Sequence, residues 1–344
     1  MTSTVSTTSL QILVIQVSRI GDTMLTTPAL AAIAAAYPGA RITVLGHPKR
    51  FEVLENFPGI SALRPITKQT SLWRGWLGPK SFDLAFIYGQ DAALLRYALR
   101  VARRVVAFRQ PETALNTRLA AALPWPMPET VHWVDRLLAL PRAEGLSAPT
   151  RRIQYHPRPA ERAAAQRELA ASGLWQAAPL IGLQVASFPT KAHRDWPLAY
   201  FIGLCDALRA RWPAAGFLLY GSAADQPRTG VLARHLGARA LDCAGRLSLR
   251  QTAALMSHTR LYVGVDTGPT HLMSSFDIPM VALYHSLYPA AIYGPLDHPC
   301  AEPIDHPRVH ASDRSEADSM ADIPVAEVLA RIERLAARIL PAGR

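Results

Sequence analysis

Several common catalytic signatures are missing from this chain. Its 344 residues contain no Gly-x-Gly-x-x-Gly and no Walker loop, which argues against a dinucleotide oxidoreductase or a P-loop enzyme. No Gly-x-Ser-x-Gly elbow occurs, so a serine hydrolase of that type is disfavoured. Asp-x-Asp is absent, leaving no obvious carboxylate pair to hold a metal-bound diphosphate. Cysteine is scarce. Cys205, Cys243 and Cys300 lie far apart, without the spacing of a disulfide framework or a metal site, and read as reduced thiols of a cytosolic protein. Lysine occurs only at Lys49, Lys68, Lys80 and Lys191, so arginine supplies most of the 37 basic residues. Acidic residues number 26, which leaves a net charge of +11 and suggests an anionic partner. Nucleic acid fits poorly, because no recognised binding motif occurs and aromatics do not interleave with the arginines. A membrane span is also unlike this sequence. Thr23 to Ala40 runs uncharged for 18 residues, yet Pro28, Pro38 and several threonines favour a buried helix instead. The Ser/Thr-rich first nine residues lack a basic n-region and read as a disordered tail.

What is present is an alternation of short apolar runs and helical patterns. Leu10–Val17, Arg41–Leu45, Asp83–Tyr88 and Val105–Phe108 read as strands of a first half. Leu180–Val185, Phe217–Tyr220, Leu261–Val265 and Met280–Tyr284 read as strands of a second. Helical patterns between them, such as Ala92–Val101 and Leu198–Arg211, imply parallel sheets with right-handed crossovers. With 49% apolar residues the chain can bury two cores. The expected organisation is α/β, with residues 10–158 as one domain and 159–323 as another. The basic, proline-bearing 149–159 stretch would connect them. The amphipathic helix at 324–340 is expected to pack back on the first domain. Trp73 to Lys80 and Pro295 to Asp318 read as loops.

The candidate chemistry sits at strand exits, where open α/β sheets place ligands. After the first strand come Ser18, Gly21 and Asp22, with Asp22 either a helix N-cap or a general base. After the Leu180 strand, Ser187 and Thr190 supply hydroxyls and Lys191 and Arg194 supply cations. Gly221 and Ser222 close the Phe217 strand. After Leu261–Val265, the run Asp266, Thr267, Gly268, Pro269, Thr270 and His271 joins turn and N-cap residues to a proline suited to the first helical turn. Such a turn suits a nucleotide diphosphate. Histidines before proline (His47, His156, His298, His306) read as loop residues.

These segments also resemble a family. Ile-Leu-Val-Ile-x-x-Ser-x-x-Gly-Asp ending at Asp22 and Thr-Thr-Pro-Ala-Leu at 26–30 are similar to the opening of glycosyltransferase family 9, the bacterial heptosyltransferases. So are His132-Trp-Val-Asp-Arg136, Arg194-Asp-Trp-Pro197, Gly221-Ser222 and Asp266-Thr-Gly-Pro-Thr-His271, all in order along nearly the whole chain. The resemblance implies a GT-B fold, with two Rossmann-like doubly wound domains facing across a cleft. It also implies inverting, metal-independent transfer of heptose from ADP-heptose to the lipopolysaccharide inner core, with no cofactor. Asp22 would be the base, with Thr267, Gly268 and His271 at the donor site. Arg194 stands where the family usually has lysine, with Lys191 three residues earlier. Gln16 stands where some members have a lysine. Arg74, Arg118 and the arginines between 96 and 109 are candidates for acceptor phosphates. The implied partners are the lipopolysaccharide core–lipid A acceptor and an anionic membrane surface, with the enzyme peripheral on the cytoplasmic face of the inner membrane. A sugar-nucleotide epimerase or another sugar transferase of the same fold is the alternative chemistry.

Overall fold

A computed structural model describes residues 9–339; the first eight residues of the expected tail lie outside it. The chain divides into two compact units between Arg151 and Arg152. The first holds a six-stranded sheet of β1 (Gln11–Gln16), β2 (Arg41–Gly46), β3 (Ile60–Pro65), β4 (Phe82–Tyr88), β5 (Ala102–Phe108) and β6 (Ala121–Leu123). The second is built from β7 (Leu180–Gln184), β8 (Gly216–Tyr220), β9 (Ala240–Asp242), β10 (Leu261–Val265), β11 (Met280–Tyr284) and β12 (Ala301–Asp305). Every pairing is parallel. The orders are β3-β2-β1-β4-β5-β6 and β12-β11-β10-β7-β8-β9. Read from β9, the second order repeats the first, so each unit is a doubly wound sheet whose winding reverses beside its first strand. That reversal lies between β1 and β4 in one unit and between β7 and β10 in the other.

The central strands are apolar because helices cover both faces. Ile12 to Ile15 and Tyr262 to Val263 are fully buried, and so are Ile181 and Leu183 of β7. The four strands that the sequence pattern does not announce, β3, β6, β9 and β12, are the four sheet edges. Edge strands need fewer apolar residues. β12 even carries Pro303, and it falls inside the stretch expected to be loop. The uncharged stretch from Thr23 spans the end of one helix, Ile20–Leu25, and all of a second, Thr27–Ala36, joined at the buried Thr26. No helix among the described residues is long and apolar enough to cross a membrane.

Two expectations are corrected. The 152–157 segment, read as part of the connection, is strapped to the second unit. Ile153 and Tyr155 are buried, Arg152 pairs with Asp277, and Tyr155 meets Phe276 edge-on. The C-terminal helix, Val325–Ile339, does not serve the first unit's core. Its stripe of Val328, Ile332, Leu335 and Ile339 closes the second core beside Leu204, Leu208, Val281 and Leu283. Arg331 with Glu302 and Arg211 with Glu333 add ion pairs at its margin.

Candidate active site

In the second unit, the loops leaving β7 and β10 flank the winding reversal, and their side chains meet there. The β7 loop is anchored by Trp196, whose ring is fully buried and whose Nε1 donates to the Ile323 carbonyl at 2.8 Å. Arg228 holds the same loop through the carbonyls of Trp196 (2.7 Å) and Val185 (3.2 Å). Asp195 accepts from the Ser187 amide at 2.6 Å, and the Ser187 hydroxyl donates to the Lys191 carbonyl at 2.6 Å. Ser187 is therefore spent on shaping the loop. Thr190 is exposed on its outer side.

So fixed, the loop delivers Arg194 to the β10 turn. Its Nη1 donates to Asp266 Oδ2 at 2.9 Å, and its guanidinium lies 3.5 Å from the centre of the Tyr288 ring. Asp266 is buried. Burial pushes its carboxyl up to about 6, against the Arg194 charge, which pulls it down. The second carboxylate oxygen has His271 Nε2 at 3.5 Å, beyond good hydrogen-bond geometry. Lys191 is different. Its ammonium reaches the Tyr288 hydroxyl (3.3 Å) and the exposed Glu316 (3.0 Å), and both hold its pKa up. Three buried polar atoms converge here without hydrogen-bond partners: Arg194 Nε, His193 Nε2 and Asp266 Oδ1. Buried polar groups are nearly always satisfied, so such a concentration is one that an ordered water or a polar ligand would complete.

The turn itself is rigid. Thr267 is the cap residue of the Gly268–Met273 helix, with Gly268 and Pro269 in its first turn. Thr270 faces inward and donates to the Val265 carbonyl at 2.5 Å while sharing a hydrogen bond with the Tyr262 hydroxyl at 2.9 Å. Its hydroxyl shapes the turn. Gly221 and Ser222 leave β8 on the same sheet edge, next to β7. There the Asp225 carboxylate takes both the Ser222 amide (2.7 Å) and hydroxyl (2.9 Å). A Cβ on Gly221 would lie 2.9 Å from Asp225 Cβ, so glycine is required by close approach.

In the first unit, Asp22 is not the N-cap. Arg19 holds that position, and Asp22 sits in the first turn of Ile20–Leu25, half-buried, with Gly21 just before it in the helix. The Asp22 carbonyl accepts from the Thr26 amide (3.2 Å) and hydroxyl (2.8 Å), and the buried Gln16 bonds the same Thr26 hydroxyl at 2.5 Å. The backbone carrying the carboxylate is thus tied to β1 from below. Ser18 stands beside it, its carbonyl held by Arg50 at 3.1 Å. The arginine candidates are scattered. Arg74 is exposed and donates to the Pro65 carbonyl (3.0 Å) at the end of edge strand β3. Arg118 is exposed ahead of the opposite edge strand, β6. Arg96, Arg103 and Arg104 are spent on Glu112, Asp83 and Glu144.

The loop after β11 was missed, although the strand-exit argument that found the others applies to it equally. It brings His285, Ser286 and Tyr288 to the cluster. His193 packs on His285 with ring centres 4.9 Å apart. Asp318 clamps this loop, accepting from Ser286 Oγ (2.6 Å), Arg308 Nε (2.9 Å) and the Ser315 amide (3.1 Å). Sequence distance hid Glu316 and Asp318, which lie in a stretch without periodicity. The histidines before proline are loop residues: the Nδ1 atoms of His47, His298 and His306 each accept the amide two residues on. Among the described residues, no group of three or more His, Cys, Asp or Glu stands where it could hold a metal ion.

The chain is similar to known proteins over most of its length. The chain is 28% identical to lipopolysaccharide heptosyltransferase 1 of Pseudomonas aeruginosa over 85% of both chains. Its fold superimposes on a family 9 glycosyltransferase from Veillonella parvula with a TM-score of 0.79 at 20% identity, covering 95% of this chain and 97% of the other. It does so on the Escherichia coli ADP-heptose lipopolysaccharide heptosyltransferase II at 0.76 and 21%, covering 95% and 98%. At those identities the structural likeness carries the fold, a two-unit GT-B architecture. The sequence model of glycosyltransferase family 9 (heptosyltransferase) matches residues 91–317, from the helix after β4 to the residue before Asp318. The chain belongs to glycosyltransferase family 9, the heptosyltransferase family.

Proposed function

We propose that this enzyme transfers heptose from ADP-heptose to the inner core of a lipopolysaccharide acceptor, with inversion at the anomeric carbon and without a metal or other cofactor. The names of its relatives supply ADP-heptose and lipopolysaccharide. The observation that carries the reading is the cluster at the β7–β10 reversal, where two cations and three unsatisfied buried polar atoms adjoin a strand-exit turn. An acceptor hydroxyl attacks the anomeric carbon, its proton passes to Asp22, and the bond from that carbon to the diphosphate oxygen breaks as ADP leaves. Charge building on the diphosphate is met by Lys191 and by the amide end of the Gly268 helix. Arg194 supports rather than leads, because Asp266 already takes its charge. His271 and the Gly221–Ser222 loop complete the donor side, while Ser18, Gly21, Arg74 and Arg118 belong to the acceptor side. The net charge of +11 supports peripheral attachment to the anionic cytoplasmic face of the inner membrane.

The test is a screen of ADP-, UDP-, GDP- and CMP-sugars by thermal shift, followed by transfer assays with and without EDTA. Only the ADP-sugar should stabilise the protein by mass action, and transfer should persist in EDTA. Stabilisation by another nucleotide sugar, or turnover of donor without acceptor, would sink the reading.

A further inference from the structure

Six residues of the first unit depart from the ordinary surface of a soluble protein. Seven large hydrophobic residues are exposed among those described, and four of them fall between Leu72 and Leu77. Leu72 is 49% exposed, Trp73 85%, Trp76 68% and Leu77 96%. Scattered apolar residues need no explanation, but two indoles and two leucines side by side do.

The segment is held in place and not left loose. Lys68–Trp73 forms a helix capped by Thr67, whose hydroxyl accepts from the Thr70 amide at 3.1 Å. The chain then turns at Gly75, where φ is +76° and a Cβ would fall 2.5 Å from Val101 Cγ1. Only glycine serves there. Arg100 holds the turn from the neighbouring Ala92–Val101 helix, donating to the Ser71 carbonyl (2.6 Å) and the Arg74 carbonyl (2.9 Å). Its guanidinium also covers one face of Trp76, 4.4 Å from the ring centre, while Trp76 Nε1 donates to the Leu72 carbonyl at 2.7 Å. The scaffold presents Trp73 and Leu77 outward from a backbone that is already ordered, which lowers the cost of binding.

The charge carried by the segment itself has one sign. From Asn56 to Phe82 there is no aspartate or glutamate, while Arg64, Lys68, Arg74 and Lys80 all fall in that span. Lys68 is paired with Asp91, but Arg74 and Lys80 flank the apolar tip. A second copy of the same patch would set these cations against each other. An anionic bilayer would not: its phosphates complement the basic rim, its acyl boundary takes the leucines, and indoles favour the interface between the two.

We propose that Leu72–Lys80 is the membrane anchor of this enzyme, seating Trp73, Trp76 and Leu77 at the acyl boundary of an anionic leaflet with Lys80 at its phosphates. This rests on the peripheral attachment proposed above and adds an apolar component to it. Attachment by net charge alone is released by salt, whereas an inserted patch leaves a fraction that salt does not remove.

The experiment is vesicle co-sedimentation of the full chain and of Trp73→Ser/Leu77→Ser, using phosphatidylglycerol-containing and pure phosphatidylcholine vesicles across a salt series. Brominated lipid reports insertion through tryptophan quenching. Wild type should bind anionic vesicles, be quenched, and keep a salt-resistant fraction. The double variant should bind at least about tenfold more weakly and lose that fraction. Both altered side chains are exposed, so its melting temperature and its turnover of a deacylated, water-soluble acceptor should match wild type. Equal binding by the two proteins overturns the anchor and leaves charge-driven attachment standing. Wild type that ignores anionic vesicles overturns both. A drop in oligomeric state in the variant, without a change in vesicle binding, assigns the patch to a second copy. Lost turnover of the soluble acceptor assigns it to the acceptor site. Either result overturns the anchor.

Discussion

Asp22 and Asp266 each lie just beyond a central strand that flanks a winding reversal, Asp22 after β1 and Asp266 after β10, which is the counterpart of β4. Their surroundings differ in every respect that matters chemically. Asp266 is buried, paired with Arg194 and pushed up to about 6. Asp22 is half-buried on the first turn of a helix whose backbone is tied down by Thr26 and Gln16. A strand exit therefore selects where a ligand goes without selecting the job of the residue found there. Burial and partners do that. The half-buried member suits proton transfer, and the buried one suits holding a turn in shape.

The largest effect that tests this contrast is at Asp22. Asp22→Asn keeps the shape and removes the base, so turnover should fall by at least about two orders of magnitude. Folding and ADP binding should remain, as measured by melting temperature and calorimetry. Transfer at a near wild-type rate would remove Asp22 from the mechanism and dissolve the contrast.

Next comes the division of labour between the cations. Lys191 is held only by exposed or half-buried partners, so Lys191→Ala should lower kcat by roughly 10–100-fold with little change in stability. Arg194→Ala strands the buried Asp266 without its partner. Breaking such a pair costs about 3–5 kcal/mol, and the melting temperature should drop accordingly. If Arg194→Ala melts normally and loses only turnover, Arg194 and not Lys191 is the cation at the leaving phosphate.

Much of this was legible from residues alone, and the failures have a pattern. Leu261–Val265 and Met280–Tyr284 match their strands residue for residue, because buried central strands are apolar throughout. The edges β3, β6, β9 and β12 went unseen, being short or half-exposed. At the site, the turns carrying Asp22, Arg194 and Asp266 were identified from strand exits. The Asp266–Arg194 pair and the clamp by Asp318 were not, since they join residues far apart in sequence. Amphipathicity announced the C-terminal helix but could not say which core its stripe would complete.

A smaller effect concerns pH. The folded-state pKa of Asp266 lies above its unfolded value, so the native state binds the extra proton. Its contribution to stability is full below about pH 4 and is lost as pH rises through about 6. Asp266→Asn should flatten that part of the stability–pH curve. An unchanged slope between those values would show that Asp266 is ionised throughout and that its burial is compensated elsewhere.

Asp318 should show the opposite sign in the same unit, with the smallest effect. The Ser286 hydroxyl, the Ser315 amide and Arg308 bond its carboxylate and draw its pKa down to about 2. A depressed carboxylate adds stability above its unfolded value of about 4 and loses it as pH falls toward 2. Wild type should therefore lose melting temperature across that acid limb. Asp318→Asn should begin lower at neutral pH, by a few degrees, and converge with wild type in acid. Because Asp318 also accepts from His285 through its carbonyl at 3.0 Å, a contact the substitution leaves in place, the β11 loop should keep its position. ADP affinity should then change less than about threefold, far less than in the Lys191 variant. A loss of ADP binding as large as the loss in Lys191→Ala would mean that the carboxylate positions Tyr288 and Lys191 directly, and the clamp would join the donor site proper.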